Sequence, residues 1–570
     1  MTFYITTPIY YVNDRPHIGH VYTTTVADAL ARYHRLAGDD TFFLTGTDEH
    51  AGKVVDAAAE RGLSPLDWAT QNANVFKDTF DRLRITHNDF IRTTEARHTS
   101  KVTEYLLALL KPTDDDASGG PGGDVYPGTY EGWYDPGEEE YVPEARAREH
   151  GYKSPISGRD LVKRTEQNFY FRLSKYAPQV IAAMESGEFD VQPEARKNEI
   201  INRLKEAQDV PISREGKSTE QGGWGIAMPS LDGEPTGHTV YVWIDALFNY
   251  LTTVDADDRR KYWEGGATHL IAKDILWFHA AIWPAMLLAL QKREGYEWVR
   301  LPKLVYAHSF WISEGVKMSK SKHNFIDLEK IDATIDAVGD LTGKPGEKAS
   351  ETGGFTDFGR GLDALRYFLC KDGPMGTTDA DFAEKAFWET YNADLANTLG
   401  NSFNRVANMT HKYFEGVVQE AGESRRRQDA ETPRVDLPGL VEKDVLEYLN
   451  YMNKQSILVA VTWAIHTVKG VDEYIEQTSP FKIAKDESRL PEVGAILYDC
   501  AEALRIASVL LWPVIPDACE KVWARLGLDY AERLRNRGTG CLDEWAAWGG
   551  LKPGTTIEKG DPLFPRYREP

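Results

Sequence analysis

Two histidines near the amino end, in the run His17-Ile18-Gly19-His20, have the type and spacing to bind an anion. The preceding residues Phe3–Thr6 predict a short buried strand, and apolar residues resume at helical spacing from Val21. The run therefore lies where a strand ends and a helix begins, so backbone N–H groups and the positive end of a helix dipole converge on it. This junction favours an anion such as a triphosphate. The histidines can donate to phosphate oxygens, and Gly19 leaves the backbone open to a flat base.

A second cluster of positive charge lies far along the chain, in Lys317-Met318-Ser319-Lys320-Ser321. It follows the turn Ser313–Gly315, which indicates a mobile loop. Nucleotidyl chemistry needs positive charge where pyrophosphate leaves, and two ammonium groups on a closing loop supply it. A solvated surface loop would explain the same lysines, so the segment is informative only together with the histidines.

A carboxylate, Asp48, ends the second predicted strand, which begins at Thr41. Strand, helix and strand in this order predict a βαβ unit and a parallel sheet, with ligands at the carboxyl ends of the strands. Asp48 could cap the helix that follows or hold a substrate ammonium group.

Aromatic and apolar residues follow strands at two later places, Trp243–Tyr250 and Ile275–His279. At helical spacing such residues usually form core. They would also suit the wall of a rigid, mostly apolar cleft.

The runs His17–His20 and Lys317–Ser321 together resemble the signature motifs of the class I aminoacyl-tRNA synthetases. The clusters at Trp243 and Asp274–His279 are similar to those of the methionyl-tRNA synthetase family, and the resemblance covers nearly the whole chain. It implies a methionine–tRNA ligase that uses ATP, with Mg²⁺ accompanying it, to convert L-methionine to methionyl-adenylate. The methionyl group would then pass to tRNA(Met), including initiator tRNA. Such catalysis needs positioning and electrostatics and no covalent enzyme intermediate.

The resemblance also implies roles for individual residues. The catalytic residues would be His17, His20, Lys317 and Lys320. The residues expected to contact ATP are His17, Gly19, His20, Ala272, Asp274, Lys317, Ser319, Lys320 and Ser321. Those expected to contact methionine are Ile9, Tyr11, Asp48, Trp243, Ala246, Tyr250, Ile275, Phe278 and His279. Arg214 is expected on the amino-acid carboxylate or the phosphates, and the anticodon is expected to meet Asn401, Arg405 and Phe481.

Three residues depart from the family pattern. Ala272 stands where glycine is expected beside the ATP ribose, and Trp311 stands near the adenine edge where a smaller aliphatic residue is usual. Phe481 replaces a tryptophan, so it keeps a ring for stacking but has no indole N–H. We expect these changes to affect local geometry and not the activity itself.

The composition is typical of a globular enzyme, with 42% hydrophobic and 27% charged residues. No apolar run reaches the roughly 18–20 residues of a membrane span, and only Met1 and Thr2 precede the first strand, so we expect no targeting segment. Four widely spaced cysteines indicate a reducing cytoplasm. The net charge of −22 argues against a protein that coats nucleic acid, but it leaves room for a local tRNA-binding groove. We expect a cytoplasmic monomer with no DNA or membrane partner.

The length of 570 residues predicts two to four domains. We expect an α/β fold with a Rossmann-type parallel-sheet catalytic domain, formed by residues 1–111 and 169–330 and interrupted by a connective insertion at 112–168. In its second half a long polar helix is expected through Ile200 and Leu204. The remaining segments are a linking segment at 331–381 that contains an insertion, an all-α helical-bundle anticodon-binding domain at 382–530, and a loosely ordered C-terminal tail at 531–570.

The connective insertion begins with a predicted acidic loop, Pro112–Thr129, before the aromatic strand Tyr130–Tyr134. In the family this region often carries Cys-x2-Cys pairs around zinc. Here the matching positions are Asp135, Glu138, Ser154 and Ser157. Because no thiolate is left, we predict no structural zinc.

Three other functions remain open. Another class I synthetase would need a long editing insertion or a zinc-thiolate pocket, and the sequence has neither. A nucleotidyltransferase with the same histidine motif that acts without tRNA would not need the helical C-terminal half. A non-catalytic tRNA-binding scaffold would not need both intact motifs.

Overall fold

The computed structural model describes residues 1–112, 123–136, 140–142, 144–154, 158–318, 324–341, 359–420 and 436–568. Its strands are β1 Thr2–Tyr11, β2 Asp40–Asp48, β3 Asp89–Arg92, β4 Val125–Asp135, β5 Glu140–Val142, β6 Val162–Phe171, β7 Asp190–Gln192, β8 Val210–Pro211, β9 Ser213–Glu215, β10 His238–Val240, β11 Ala267–Ala272, β12 Leu304–His308, β13 Trp311–Ser313, β14 Val316–Lys317 and β15 Ala380–Asp381. Its first eleven α-helices are α1 Ile18–Leu36, α2 Gly52–Ala59, α3 Pro65–Arg82, α4 Ala96–Leu110, α5 Glu144–Glu149, α6 Leu173–Ser186, α7 Glu194–Leu204, α8 Val242–Thr252, α9 Arg260–Glu264, α10 Trp283–Gln291 and α11 Leu328–Asp340. The later helices are α12 Gly359–Asp372, α13 Glu384–Thr390, α14 Asn401–Phe414, α15 Leu437–Asn453, α16 Ile457–Thr478, α17 Pro480–Ile483, α18 Leu490–Leu511, α19 Pro516–Arg525, α20 Tyr530–Arg537 and α21 Leu542–Trp545. No helix in these ranges is long and apolar enough to cross a membrane.

Six parallel strands form the central sheet, in the order β3-β2-β1-β11-β12-β7. This confirms the predicted Rossmann-type sheet. Strand β1 is buried on both faces at Tyr4 and Ile5, as expected for the middle of a parallel sheet. The strand order reverses between β1 and β11, and ligands of such sheets bind outside the carboxyl ends at that point.

Helix α1 begins at Ile18, as the apolar spacing from Val21 predicts, and a buried ion-pair network holds it. Asp28 accepts from Nε of Arg32 at 2.8 Å and from Nη2 of Arg366 at 2.7 Å. Arg366 lies in α12 and also donates to the carbonyl of Val514, between α18 and α19. The helix that follows the histidine run is therefore tied directly to the C-terminal helices.

The single long polar helix predicted through Ile200 and Leu204 is wrong. Two helices, α6 and α7, are separated by β7, the edge strand of the central sheet. Gly187 ends α6 with a φ of 80°, and the buried side chains of Phe189 and Val191 draw the next residues into the sheet.

The connective insertion contains a four-stranded antiparallel sheet in the order β5-β4-β6-β8. Strand β4 already pairs with β6 from Val125, so the prediction of a loop as far as Thr129 is wrong; residues 113–122 lie outside the described ranges. A small core of Val142, Ala147 and Leu161 lies against the ring of Trp133. Strand pairing and aromatic packing therefore hold this unit together, as the sequence indicates.

The linking segment is more regular than predicted. Its first residues belong to α11, where Ile331, Ile335 and Val338 are buried in the main core. Residues 342–358, which include most of the predicted insertion, lie outside the described ranges.

The helical C-terminal half is confirmed, but the loosely ordered tail is wrong. After α19 the chain adds α20 and α21 and then packs its last described residues into the core, with Leu551, Ile557 and Phe564 buried. The ring of Tyr567 stacks on Trp388 at a centroid distance of 3.9 Å. This segment is mostly polar, and its few apolar side chains are spaced too irregularly to form a periodic pattern. The sequence pattern therefore did not predict that they are buried.

Candidate active site

The histidine run lies at the amino end of α1, with His17 as its N-cap. Nδ1 of His17 accepts the backbone N–H of Gly19 at 3.1 Å, and Nδ1 of His20 accepts the N–H of His17 at 3.2 Å. A neutral imidazole that accepts at one nitrogen carries its proton on the other. Each ring therefore has its proton on Nε2, the atom that can donate to an anion.

Both rings are neutral at pH 7. Burial lowers the pKa of His17 to about 4, and burial together with the adjacent His17 lowers the pKa of His20 well below its usual value. They offer hydrogen bonds and no net charge. A Cβ on Gly19 would lie 2.9 Å from Cε1 of His17, so glycine here preserves the cap as well as an open backbone.

Asp48 ends β2 beside the switch point, paired in register with Tyr11 of β1. It does not cap α2, whose N-cap is Ala51. Its side chain is buried, and within the described ranges Oδ1 has no hydrogen-bond partner. Burial, with Asp245 and Glu49 nearby, raises the pKa of Asp48 well above its usual value. A buried carboxylate in this position is stabilised when a cation binds it.

The carboxylate of the next residue, Glu49, is fully hydrogen-bonded, unlike that of Asp48. Its carboxylate accepts from Nε and Nη2 of Arg92, at 2.8 and 3.0 Å, and from the hydroxyls of Thr47 and Thr94. Glu49 is therefore a satisfied structural ion pair, which leaves Asp48 as the carboxylate with a free oxygen at this strand end.

The predicted apolar cleft is formed by residues of strand β1, helix α8 and the turns after β11. The rings of Trp243 and Phe278 stack at 4.3 Å with an interplanar angle of 11°, and Tyr11 meets Trp243 edge to face at 5.8 Å. Ile9, Ile275 and Phe278 are partly buried against a hydrophobic core that includes Tyr250. Residues from β1, α8 and the turns after β11 therefore form one aromatic wall.

Beneath this wall, the hydroxyl of Tyr250 lies 2.8 Å from Nε2 of His279. Nδ1 of His279 lies 3.0 Å from the carbonyl of Ile275 and must donate to it, so Nε2 accepts from Tyr250. Ala246, on the same helix as Tyr250, is buried next to Leu247. The structure thus joins Tyr11, Trp243 and Phe278 in one aromatic wall and Tyr250, His279 and Ile275 in one hydrogen-bonded group, while contact of any of these residues with methionine stays a prediction.

Two further residues predicted for ATP lie at the carboxyl end of β11, across the switch point from β1. Ala272 ends β11, and Asp274 is exposed in the 3-10 turn that follows. The indole of Trp311, however, is packed in the core against Tyr22 and Phe368. The indole is buried, and the expectation that this side chain affects the adenine edge stays a prediction.

The lysine motif lies mostly outside the described ranges, which include Met318 and the backbone of Lys317 at the end of β14 and exclude Ser319, Lys320 and Ser321. Arg214 lies on β9, where its guanidinium stacks 4.2 Å from the ring of Tyr241, the N-cap of α8. It is therefore held beside the helix that carries Trp243.

The residues predicted to read an anticodon lie on neighbouring helices. Asn401 is exposed at the start of α14, and Arg405 follows one turn later. Nη2 of Arg405 contacts Glu476 of α16 at 2.7 Å. Phe481, five residues after Glu476, is 40% exposed on α17. The side chain of Arg405 thus points toward the end of α16, from which the chain leads directly to Phe481.

Sequence reasoning missed Asp245, His50 and His98. Asp245 is buried and accepts hydrogen bonds from both histidines at 2.7 Å. The signal was present, since a carboxylate inside the apolar run Trp243–Tyr250 has to find buried partners. The histidines lie too far away in sequence for spacing to identify them as those partners.

Among the described residues no group of three or more His, Cys, Asp or Glu side chains could hold a metal ion. Of the four positions that match the family's zinc pattern, Glu138 and Ser157 lie outside the described ranges, while Asp135 and Ser154 are buried. The absence of structural zinc stays a prediction.

A parallel sheet with a histidine-capped helix at its switch point is the architecture of the class I aminoacyl-tRNA synthetases. The family model described as tRNA synthetases class I (M) matches residues 3–151, 150–338 and 355–407. This chain belongs to the methionyl-tRNA synthetase family within that class.

Individual relatives agree. The methionine–tRNA ligase of Halalkalibacterium halodurans is 37% identical over 99% of this chain and 78% of its own length, and that of Bacillus subtilis is 36% identical with the same coverage. The structure of Mycobacterium tuberculosis methionyl-tRNA synthetase in complex with methionyl-adenylate matches with a TM-score of 0.79 and 30% identity, covering 99% of this chain and 100% of that one.

Proposed function

We propose that this protein activates L-methionine with ATP to form methionyl-adenylate and pyrophosphate, and then transfers methionyl to tRNA(Met), including initiator tRNA. The observation that carries the proposal is Asp48, a buried carboxylate with an unpartnered oxygen beside an aromatic cleft. An amino acid with an uncharged, polarisable side chain suits both features, because its ammonium can meet Asp48 and its thioether can meet the rings of Trp243 and Phe278. Family membership supports the same substrate and reaction.

In the first step a carboxylate oxygen of methionine attacks the α-phosphorus of ATP. An O–P bond forms as the bond to pyrophosphate breaks, and pyrophosphate leaves with the electron pair. His17 and His20 would donate through Nε2 to phosphate oxygens as charge develops there, and Lys317 and Lys320 would add positive charge at the leaving group. Arg214 would bind the carboxylate or the phosphates.

The remaining contacts to ATP are proposed from the same arrangement. Asp274 and Ala272 would lie near the ribose, and Gly19 would leave the backbone open to the base. Ser319 and Ser321 would accompany the lysines of their loop. Mg²⁺ would enter with ATP, held mainly by the phosphates and water.

In the second step the terminal adenosine hydroxyl of the tRNA attacks the methionyl carbonyl, AMP leaves, and the hydroxyl proton passes to solvent. Anticodon recognition would use Asn401, Arg405 and Phe481, with hydrogen bonds to base edges and stacking on the phenyl ring. In the ion pair between Arg405 and Glu476 the carboxylate side chain is 66% exposed and the arginine 28%, so RNA can displace the pair at a cost of about 1 kcal/mol.

The wider assignments follow from this function. Residues 1–111 and 169–330 would form the catalytic domain, 112–168 the connective insertion, 331–381 the linking segment and 382–530 the anticodon-binding domain. The helices and buried segment after residue 530 would stabilise that last domain. We propose a cytoplasmic monomer.

The test is ATP–pyrophosphate exchange with purified protein and each amino acid in turn, followed by tRNA charging. We expect exchange with methionine and charging of tRNA(Met). Because one methylene is worth about 1–3 kcal/mol, homocysteine should support exchange at roughly 10–200-fold lower kcat/KM. Exchange with another amino acid would contradict the pocket assignment. No exchange at all would favour the scaffold, and exchange without charging would favour a nucleotidyltransferase.

A further inference from the structure

Asp245, which the proposed chemistry does not use, joins three elements below the proposed methionine pocket. It lies in the first turn of α8, and its side chain is 1% exposed. Oδ2 accepts from Nδ1 of His50 and Oδ1 accepts from Nε2 of His98, both at 2.7 Å. His50 follows the end of β2, and His98 lies in α4. One carboxylate therefore connects α8 to a strand end and to a neighbouring helix.

The bond to His50 fixes α8 relative to the end of β2, and the bond to His98 fixes the same turn of α8 relative to α4. Helix α8 carries Trp243 and Ala246, and β2 ends at Asp48. The ammonium group and the side chain of one amino acid are only a few bonds apart. Asp48 and Trp243 must therefore be held at one spacing if a single methionine is to reach both.

We propose that Asp245 is a positioning residue for methionine, which sets the spacing between Asp48 and Trp243 by accepting from His50 and His98. The inference rests on the proposed function and adds a residue that does not touch the substrate. Loss of these bonds raises KM for methionine. It leaves KM for ATP nearly unchanged, because the histidine cap of α1 lies on a different element.

Two substitutions of Asp245 distinguish the effect of its hydrogen bonds from the effect of its charge. In Asp245→Asn the amide oxygen can accept from His50 while the amide NH2 donates to Nε2 of His98. The proton of His98 then moves to Nδ1, which faces the hydroxyl of Thr252 at 3.0 Å, and that hydroxyl can accept as well as donate. Asparagine thus keeps both bonds without the charge, whereas alanine loses both.

The matched control is Asp255, a second carboxylate at 1% exposure, just after the far end of α8. It accepts from the hydroxyl of Tyr105 at 3.0 Å, from Lys101 at 2.9 Å and from Arg260 at 2.6 Å. It has a similar burial and number of partners, but it does not contact the end of β2.

The experiment measures KM for methionine and for ATP by pyrophosphate exchange. We expect Asp245→Ala to raise KM for methionine about tenfold or more, with KM for ATP changed less than about twofold. Asp245→Asn should stay within about threefold of wild type, and Asp255→Ala should lower thermal stability without changing KM for methionine. If Asp245→Asn matches Asp245→Ala, or if Asp255→Ala raises KM equally, the positioning role is overturned.

A second pair of variants serves if Asp245→Ala does not fold. His98→Leu removes one of the two bonds, and His98→Gln restores a donor near the position of Nε2. We expect His98→Leu to raise KM for methionine and His98→Gln to recover most of it; equal KM values in the two variants would overturn the inference. Failure of the proposed function itself is distinguishable, because wild-type protein would then show no methionine-dependent exchange.

Discussion

The hydroxyl of Tyr250 donates to Nε2 of His279 at 2.8 Å, and the same imidazole donates from Nδ1 to the carbonyl of Ile275. Burial lowers the pKa of His279 to about 4, so the ring is neutral at pH 7. The pair therefore adds a polar group to the cleft without adding charge. This arrangement suits an uncharged thioether better than a lysine or a carboxylate side chain.

Tyr250→Phe should weaken both stability and methionine use. The substitution leaves Nε2 of His279 as a buried acceptor without a donor, which costs about 1–3 kcal/mol. We expect a lower midpoint in urea and a roughly tenfold loss of kcat/KM for methionine in pyrophosphate exchange. Leu288→Ala on α10 is a control for general packing loss, and it should lower stability without a specific effect on KM for methionine. Equal KM effects in the two variants would contradict the assignment.

Asp48→Asn should be less active and more stable. Removing the partner of the substrate ammonium should lower kcat/KM for methionine by about 10²-fold or more. Because burial raises the folded-state pKa of Asp48, its ionised form destabilises the fold at neutral pH, by about 1–3 kcal/mol. The stability gain of Asp48→Asn should therefore grow as the pH rises from about 4 into the neutral range and disappear as the pH falls toward 4. Urea denaturation at several pH values measures it, and a variant less stable than wild type at pH 7 would refute this account.

Substitutions of His17 should distinguish the capping role of Nδ1 from the donor role of Nε2. Asparagine places an acceptor near Nδ1 and keeps the cap, whereas glutamine places an amide near Nε2. We expect His17→Asn to keep the stability of α1 while lowering kcat for exchange about 10²–10³-fold, and His17→Gln to lose less activity and more stability. The opposite ranking would show that the ring acts mainly as a cap.

The lowered pKa of His17 also predicts that the stability of the fold depends on pH. Its folded-state pKa of about 4 lies below the ordinary value of 6.5, so its neutral form stabilises the fold above pH 6.5 and this contribution is lost as the pH falls through 4. The stability of wild type relative to His17→Asn should therefore rise between pH 4 and 6.5. A flat difference across that range would contradict the burial of the ring.

Removal of tightly bound metal should have no effect. Protein treated with EDTA and returned to Mg²⁺ should show unchanged methionine-dependent exchange and an unchanged melting temperature, because the insertion has lost the four thiolates of the family's zinc pattern. Elemental analysis of the untreated protein provides the control. Stoichiometric zinc together with a lower melting temperature after EDTA would show that the prediction is wrong.

Glu502→Ala should strongly destabilise the C-terminal half. The carboxylate of Glu502 accepts the backbone N–H groups of Gly549, Gly550 and Leu551 and pairs with Arg505, at 0% exposure for both side chains. Breaking such a buried pair costs about 3–5 kcal/mol. Glu492 lies on the same helix and pairs with Arg489, and both of these side chains are more exposed than those of Glu502 and Arg505. Glu492→Ala should therefore cost no more than about 1 kcal/mol. Similar losses in urea denaturation would contradict the burial of the segment.

Much of the site could be predicted from local sequence. The histidine run needed only a strand, a turn and a helix, which apolar period and turn residues specify within about 30 residues. The apolar cleft was predicted from two short clusters that follow strands, Trp243–Tyr250 and Ile275–His279. By contrast, the short strand Asp190–Gln192 was missed, because three residues between two helices carry too little pattern to separate from a helix end.

By itself the sequence predicted the parallel α/β fold and the helical C-terminal half, because local period carries that information. The chemistry of the candidate site followed from the resemblance of two motifs and two clusters to those of a known family. Only the tertiary structure decided that Asp245 meets His50 and His98, which lie 195 and 147 positions away in the chain. It likewise decided that Glu502 and Arg505, spaced like an ordinary surface pair, are buried under the final segment. Such contacts depend on strand order and on how helices pack across the sheet, and packing between distant segments leaves no periodic trace in the chain.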